Sequence, residues 1–255
     1  MAFSEDYFFY SKYSLNYTKP KGTFKKLILA LYFIANHYST LTHLLRILNF
    51  HKKYGSQTIL QIPDFSLTSG IYWIRGVNGS GKSTLFKSIA GIIPYQGEIS
   101  LQGISQRKQP RPYRRLLSYA EAEPLYPEYL KGTELLAFVA KTRQVSKDEW
   151  MILCERFAMT DYIGAPCGTY SSGMLKKLSL VLALMAKLPL VLLDEAFITI
   201  DTDASRVLCE IIREYHQHQE SCFLISSHQL IEHDMLPLSG EFEIHHRELR
   251  KVSRS

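Results

Sequence analysis

Cysteine is scarce in this chain, with only Cys154, Cys167, Cys209 and Cys222 among 255 residues and no C-x-x-C pair. Such spacing provides no disulfide framework and predicts reduced core thiols of a cytosolic protein. Long apolar runs are missing too: the densest, Leu27 to Ala35, has nine residues, against the ~20 that a spanning helix needs. The N-terminus, MAFSEDYFFY, has no basic leader before an apolar stretch, so no secretory signal is expected. No internal repeat or low-complexity tract is visible.

Net charge is absent from most of the chain. The formal +6 lies entirely in residues 1–53, with eight Lys or Arg against Glu5 and Asp6, while the other 202 residues carry 22 basic and 22 acidic side chains. What remains is a chain of 46% hydrophobic content, long enough for one large α/β domain and an appendage. Nine histidines are scattered, and His216, His218, His245 and His246 offer no metal-binding spacing.

In the basic segment, Leu31, Ile34, Tyr38, Leu41, Leu45 and Leu48 recur three and four residues apart. This spacing predicts an amphipathic helical stripe, which Asn36 to Thr40 divides into two short helices. Two readings stay open: an arm resting on an anionic membrane face or a partner, and a helix packed on the neighbouring domain.

The rest of the chain is organised around Gly76 to Thr84, GVNGSGKST, which fits G-x-x-x-x-G-K-[ST]. Glycines let the backbone bend so that successive N–H groups turn inward on phosphate oxygens. The loop follows GIYWI, a short predicted strand, and precedes a helical pattern from Leu85 to Ala90. The motif assigns phosphate contact to Gly76, Asn78, Gly79, Ser80, Gly81, Lys82 and Thr84, and Mg²⁺ to Ser83. A nucleoside triphosphate site is therefore expected. Elsewhere, Thr58 to Leu67 predicts a strand or hairpin, and Gly97 to Leu101 and Leu116 to Tyr119 predict strands. Thr133 to Lys141 and Lys147 to Phe157 predict helices, and Arg107 to Arg115 a basic, proline-broken loop.

Leu190 to Glu195, LVLLDE, is a second landmark. Four apolar residues ending in two acids predict a buried parallel strand with carboxylates at its C-terminal edge, where ligands of α/β sheets collect. Asp194 is the candidate Mg²⁺ ligand opposite Ser83, and Glu195 the candidate general base.

These residues resemble the nucleotide-binding subunits of ATP-binding cassette (ABC) transporters, over roughly residues 48–245. YSSGM, Tyr170 to Met174, occupies the place of the family's LSGGQ signature, and its S-x-G-M form resembles exporter-type ATPases. AFITID, ending at Asp201, resembles the loop that contacts the opposite subunit. His228, in LISSHQL, resembles the histidine that senses the γ-phosphate, and Tyr54 the aromatic that stacks on adenine. The loop that usually carries a glutamine reads AEAEPLYP, leaving Glu121, Ala122 and Glu123 as candidates for its place.

The resemblance implies a P-loop ATPase with a mixed sheet core, a helical subdomain at about residues 122–180 within residues 48–255, and a basic helical arm over residues 1–47. It implies ATP and Mg²⁺, with Lys82, Glu195 and His228 catalytic. Ser171 and Gly173 would act on ATP held by a second subunit, in a homodimer or a heterodimer. A separate transmembrane permease and a place on the cytoplasmic membrane face are expected, and no nucleic acid. The alternative is a soluble ABC-type ATPase working on nucleic acid or the ribosome. Deleting residues 1–45 tests the arm: loss of membrane association is expected of a targeting role, and unchanged association rejects it.

Overall fold

The computed structural model describes residues 43–218, 221–228 and 236–252. Of the arm expected over residues 1–47, residues 1–42 lie outside the described residues.

β1 (Leu45–Tyr54) and β2 (Gln57–Leu67) form an antiparallel hairpin, and β1 also pairs antiparallel with β4 (Gln96–Leu101). This corrects the helical stripe at its C-terminal end. Leu45 and Ile47 are fully buried between two partner strands, and that tertiary pairing overrides a three-and-four spacing that only the first residues of β1 share. A truncation that leaves the sheet whole therefore ends before His43 and not at residue 45.

The remaining strands are β3 (Ile71–Arg75), β5 (Ile104–Ser105), β6 (Leu117–Ala120), β7 (Leu190–Asp194), β8 (Cys222–Ser227), β9 (Gly240–His245) and β10 (Glu248–Lys251). Among the described residues they complete a mixed sheet in the order β5-β4-β1-β2-β10-β9-β3-β8-β7-β6. From β9 to β6 every pairing is parallel. The helices are α1 (Lys82–Ile89), α2 (Pro110–Arg114), α3 (Gly132–Arg143), α4 (Lys147–Arg156), α5 (Ser172–Leu184) and α6 (Thr202–Gln217).

The parallel strands are apolar throughout because both faces are covered. Along β7, Leu190 and Leu192 join one core with α1 and the antiparallel strands, while Val191 and Leu193 join the other, with α3 to α6. β3 and β8 alternate in the same way: Trp73 and Ile225 face the helical core, Ile74 and Leu224 the opposite one. All four cysteines are free and buried, and burial pushes the thiols of Cys154 and Cys209 up to about 11 and that of Cys222 to about 12.

The basic segment from Arg107 to Arg115 is not a loop throughout. Pro110 sits at the first position of α2, where its missing N–H costs nothing, and Tyr113 is fully buried, its hydroxyl donating to the Ile89 carbonyl at 2.8 Å. Among the described residues no helix is long and apolar enough to cross a membrane.

Candidate active site

Adjacent parallel strands bring distant motifs to one edge. Arg75, at the end of β3, is in register with Ser227, and Ser226 with Asp194 at the end of β7. The chain therefore leaves β3, β8 and β7 side by side into the loop 76–81, His228 and Glu195 respectively. Gly81, with φ 111°, stands at the N-cap of α1 in a conformation that side chains disfavour. It turns the loop directly into the helix that begins with Lys82.

An open cleft of about 540 Å³ lies over this edge. Tyr54, Asn78, Gly79, Gly81, Lys82, Ser83, Thr84, Glu195 and His228 all line it. Gly76, Ser80 and Asp194 are not among its lining residues, nor are Ser171 and Gly173. The glutamine-less loop contributes Ala122 and Glu123. Glu121 lines a separate groove with Leu125, Tyr126 and Val139.

Lys82 is 5% exposed, and its ammonium donates to the carbonyls of Gly76 at 2.8 Å and Val77 at 3.3 Å. It also forms an ion pair with Glu195 Oε1 at 3.1 Å. The other carboxylate oxygen of Glu195 accepts from the backbone N–H of His228 at 3.3 Å and lies 3.2 Å from His228 Nδ1. Glu195 itself has φ 47°, the left-handed region that a non-glycine residue enters only when its surroundings hold it. Its own N–H donates to Ser226, to the carbonyl at 3.1 Å and the hydroxyl at 3.0 Å. With Lys82 and His228 gripping the carboxylate, the backbone and side chain of Glu195 are fixed together.

Asp194 is fully buried beneath Glu195. One of its oxygens accepts from the Ser226 hydroxyl and the other from Tyr119 at 3.1 Å. Burial, and then the Asp194 carboxylate, hold the Tyr119 phenol protonated far above its ordinary range. Hard oxygen donors, the Asp194 carboxylate and the Ser83 hydroxyl, suit Mg²⁺, which typically takes one or two carboxylates and completes its shell with phosphate oxygens and water. Among the described residues no group of three or more His, Cys, Asp or Glu is placed to hold a metal ion.

Ser171 caps α5, its hydroxyl accepting from the N–H of Met174 at 3.2 Å. Gly173 meets the loop after Glu195 closely, since a Cβ there would stand 2.7 Å from the Thr199 carbonyl oxygen. Lys177 on the same helix pairs with Asp201 at 2.8 Å. The signature segment and the AFITID loop therefore pack against each other within one chain.

The sequence reading missed Tyr119, Ser226 and Lys176. Tyr119 was legible only as the end of an apolar strand, and Ser226 only as part of LISSHQL. Lys176 left a clearer trace, a cation four residues before Leu180 and seven before Ala183 on the buried face of α5. It is fully buried, and burial pushes its ammonium down to about 8, against the opposing pull of Asp194, Glu195 and Glu121.

A family model described as ABC transporter matches residues 60–198. The chain is similar to the cytochrome c biogenesis ATP-binding export protein CcmA of Legionella pneumophila, 32% identical over 200 residues, covering 76% of this chain and 94% of that one. It is also similar to the lantibiotic transport ATP-binding protein SrtF of Streptococcus pyogenes, 29% identical over 191 residues, covering 74% and 82%. A solved ATP-binding subunit of an ABC transporter superposes with a TM-score of 0.73 at 26% identity, covering 82% of this chain and 90% of that chain.

Gly173→Ala isolates the packing of the signature. Helix propensity alone would make alanine more stable by ~1 kcal/mol. The contact with Thr199 predicts the reverse, a lower urea midpoint of unfolding together with slower turnover, and a raised midpoint would show that the contact is slack.

Proposed function

This chain belongs to the ABC transporter family as an ATP-binding, ATP-hydrolysing subunit, and we propose that it drives export through a separate membrane-spanning partner. The observation that carries the reading is the network of Lys82, Glu195 and His228 at the floor of a cleft lined by the phosphate loop. The ATPase domain is read as beginning with β1 at Leu45 and not at the expected residue 48, with the helical subdomain at about residues 122–180, and the basic segment before it as an N-terminal extension.

In the proposed mechanism the adenine stacks on Tyr54, which is 53% exposed at the cleft. Loop N–H groups and the positive end of α1 receive the phosphates. The γ-phosphate carries more charge than a carboxylate, so it takes over the Lys82 ammonium and releases Glu195 from the ion pair. Freed, Glu195 polarises the attacking water as general base, and the β–γ bond breaks to give ADP and phosphate. His228, which holds Glu195 in the absence of nucleotide, turns to the γ-phosphate. Ser83 and, directly or through its water, Asp194 would hold Mg²⁺, which would neutralise charge on the phosphate oxygens.

Ser171 and Gly173 stand outside the cleft of their own chain, which supports a role on nucleotide held by a second copy or a related subunit. ATP then closes a head-to-tail dimer and hydrolysis reopens it. The movement reaches the membrane partner through the loop after β6, where Leu125 is 90% and Tyr129 80% exposed. On this reading the chain works at the cytoplasmic face of the membrane. The relatives named above are transport and export proteins, and no particular observation favours nucleic acid as the partner.

Glu195→Gln tests the assignment. Nucleotide affinity is expected to stay within about threefold while turnover falls by roughly 10²–10⁴, the usual worth of a general base. Hydrolysis at the parental rate would reassign the base.

A further inference from the structure

Lysine is almost never fully buried unless paired, yet Lys176 is fully buried and its three bonded partners are carbonyls. Its ammonium donates to the main-chain oxygens of Glu121 at 2.6 Å, Ala122 at 3.2 Å and Asp194 at 2.7 Å. An ammonium has three donors and no acceptor, so every N–H is used. A filler for the same space would be apolar, as Leu180 and Ala183 are further along that face of α5. Methionine there would avoid the desolvation of a charge but take the ammonium donor away from all three carbonyls, that of Asp194 in a buried contact.

The three carbonyls belong to two segments that strand pairing and the Tyr119–Asp194 hydrogen bond also join. Glu121 and Ala122 begin the loop after β6, and Asp194 ends β7. Ala122 has no polar side chain and Glu123 is exposed, and the loop is next anchored by the buried Pro124 and by Tyr126 against the helical core. The carboxylates of Asp194, Glu195 and Glu121 lie close enough to favour the charged ammonium. Ser171 and Gly173 sit one turn or so back along the same helix.

We infer that Lys176 is a positioning residue: it clamps the Glu121–Ala122 backbone to the end of β7 and so sets where Ala122 and Glu123 stand relative to Asp194 and Glu195. Displacement of the loop is thereby carried into the phosphate site and into the start of α5 at once. Such coupling rests on the roles given to Asp194 and Glu195 above.

The test uses the full chain with Lys176→Met, which removes all three donors, and Lys176→Gln, whose amide keeps two. ATP turnover, KM for ATP, the Mg²⁺ concentration for half-maximal activity and hydrogen exchange of the amides of residues 121–126 are measured for each. A misplaced loop predicts kcat lower by roughly 10- to 100-fold in the methionine variant, with KM for ATP within about twofold. It also predicts a raised Mg²⁺ requirement, faster exchange confined to the loop, and intermediate values for glutamine. Parental kcat and loop exchange with only a lower Tm would reduce Lys176 to a structural cation and overturn the inference. If the methionine variant does not fold, the glutamine variant decides on the same measurements. A parental chain that binds ATP but never hydrolyses it refutes the functional reading instead, and the inference falls with it.

Discussion

The Lys82 ammonium is the point on which this site turns. It is nearly inaccessible, held by two carbonyls of the loop and one carboxylate oxygen of Glu195. A buried ion pair of this kind contributes little net stability, because desolvation offsets most of the attraction. Its consequence is geometric. With Glu195 held by Lys82 on one side and His228 on the other, the proposed base is tied down, and in the proposed mechanism an incoming phosphate releases it by competing for the same cation. Binding and activation then share one charge.

That arrangement depends on the parallel half of the sheet. The order β3, β8, β7 and β6 delivers the phosphate loop, His228, the two acids and the loop after β6 to one edge, and the register fixes Ser226 beside Asp194. Both faces of those strands are buried in separate cores, so a change of register would turn Leu192 and Val191 into each other's environments. Packing precision in the two cores thereby becomes precision in the site. α5 adds the third dimension, with Gly173 against Thr199 and Lys176 against the floor.

Much of this was legible in the sequence because it resides in local motifs. G-x-x-x-x-G-K-S sets a loop between strand and helix, and four apolar residues before two acids define a buried strand end. Each needs only its own neighbours to be recognised. Leu45 misled because its spacing from Leu41 and Leu48 suits a helix, whereas its structure is decided by β2 and β4, far along the chain. Pro110 read as a breaker and is a helix start, a distinction set by the burial of Tyr113. Tyr119, Ser226 and Lys176 stayed hidden for one common reason: their polar partners are 75, 32 and 18 or more residues away, and only the folded sheet shows what a polar atom in an apolar segment faces. Ala122 and Glu123 were separated from Glu121 only by the direction of the loop, which spacing does not encode.

The most direct test of the shared cation is a crystal structure of the chain with Mg²⁺ and a non-hydrolysable ATP analogue. The account predicts that Lys82 Nζ leaves Glu195, now 3.1 Å away, for the β- and γ-phosphate oxygens, and that His228 turns from Glu195 toward the γ-phosphate. A bound analogue with the Lys82–Glu195–His228 contacts intact would contradict it.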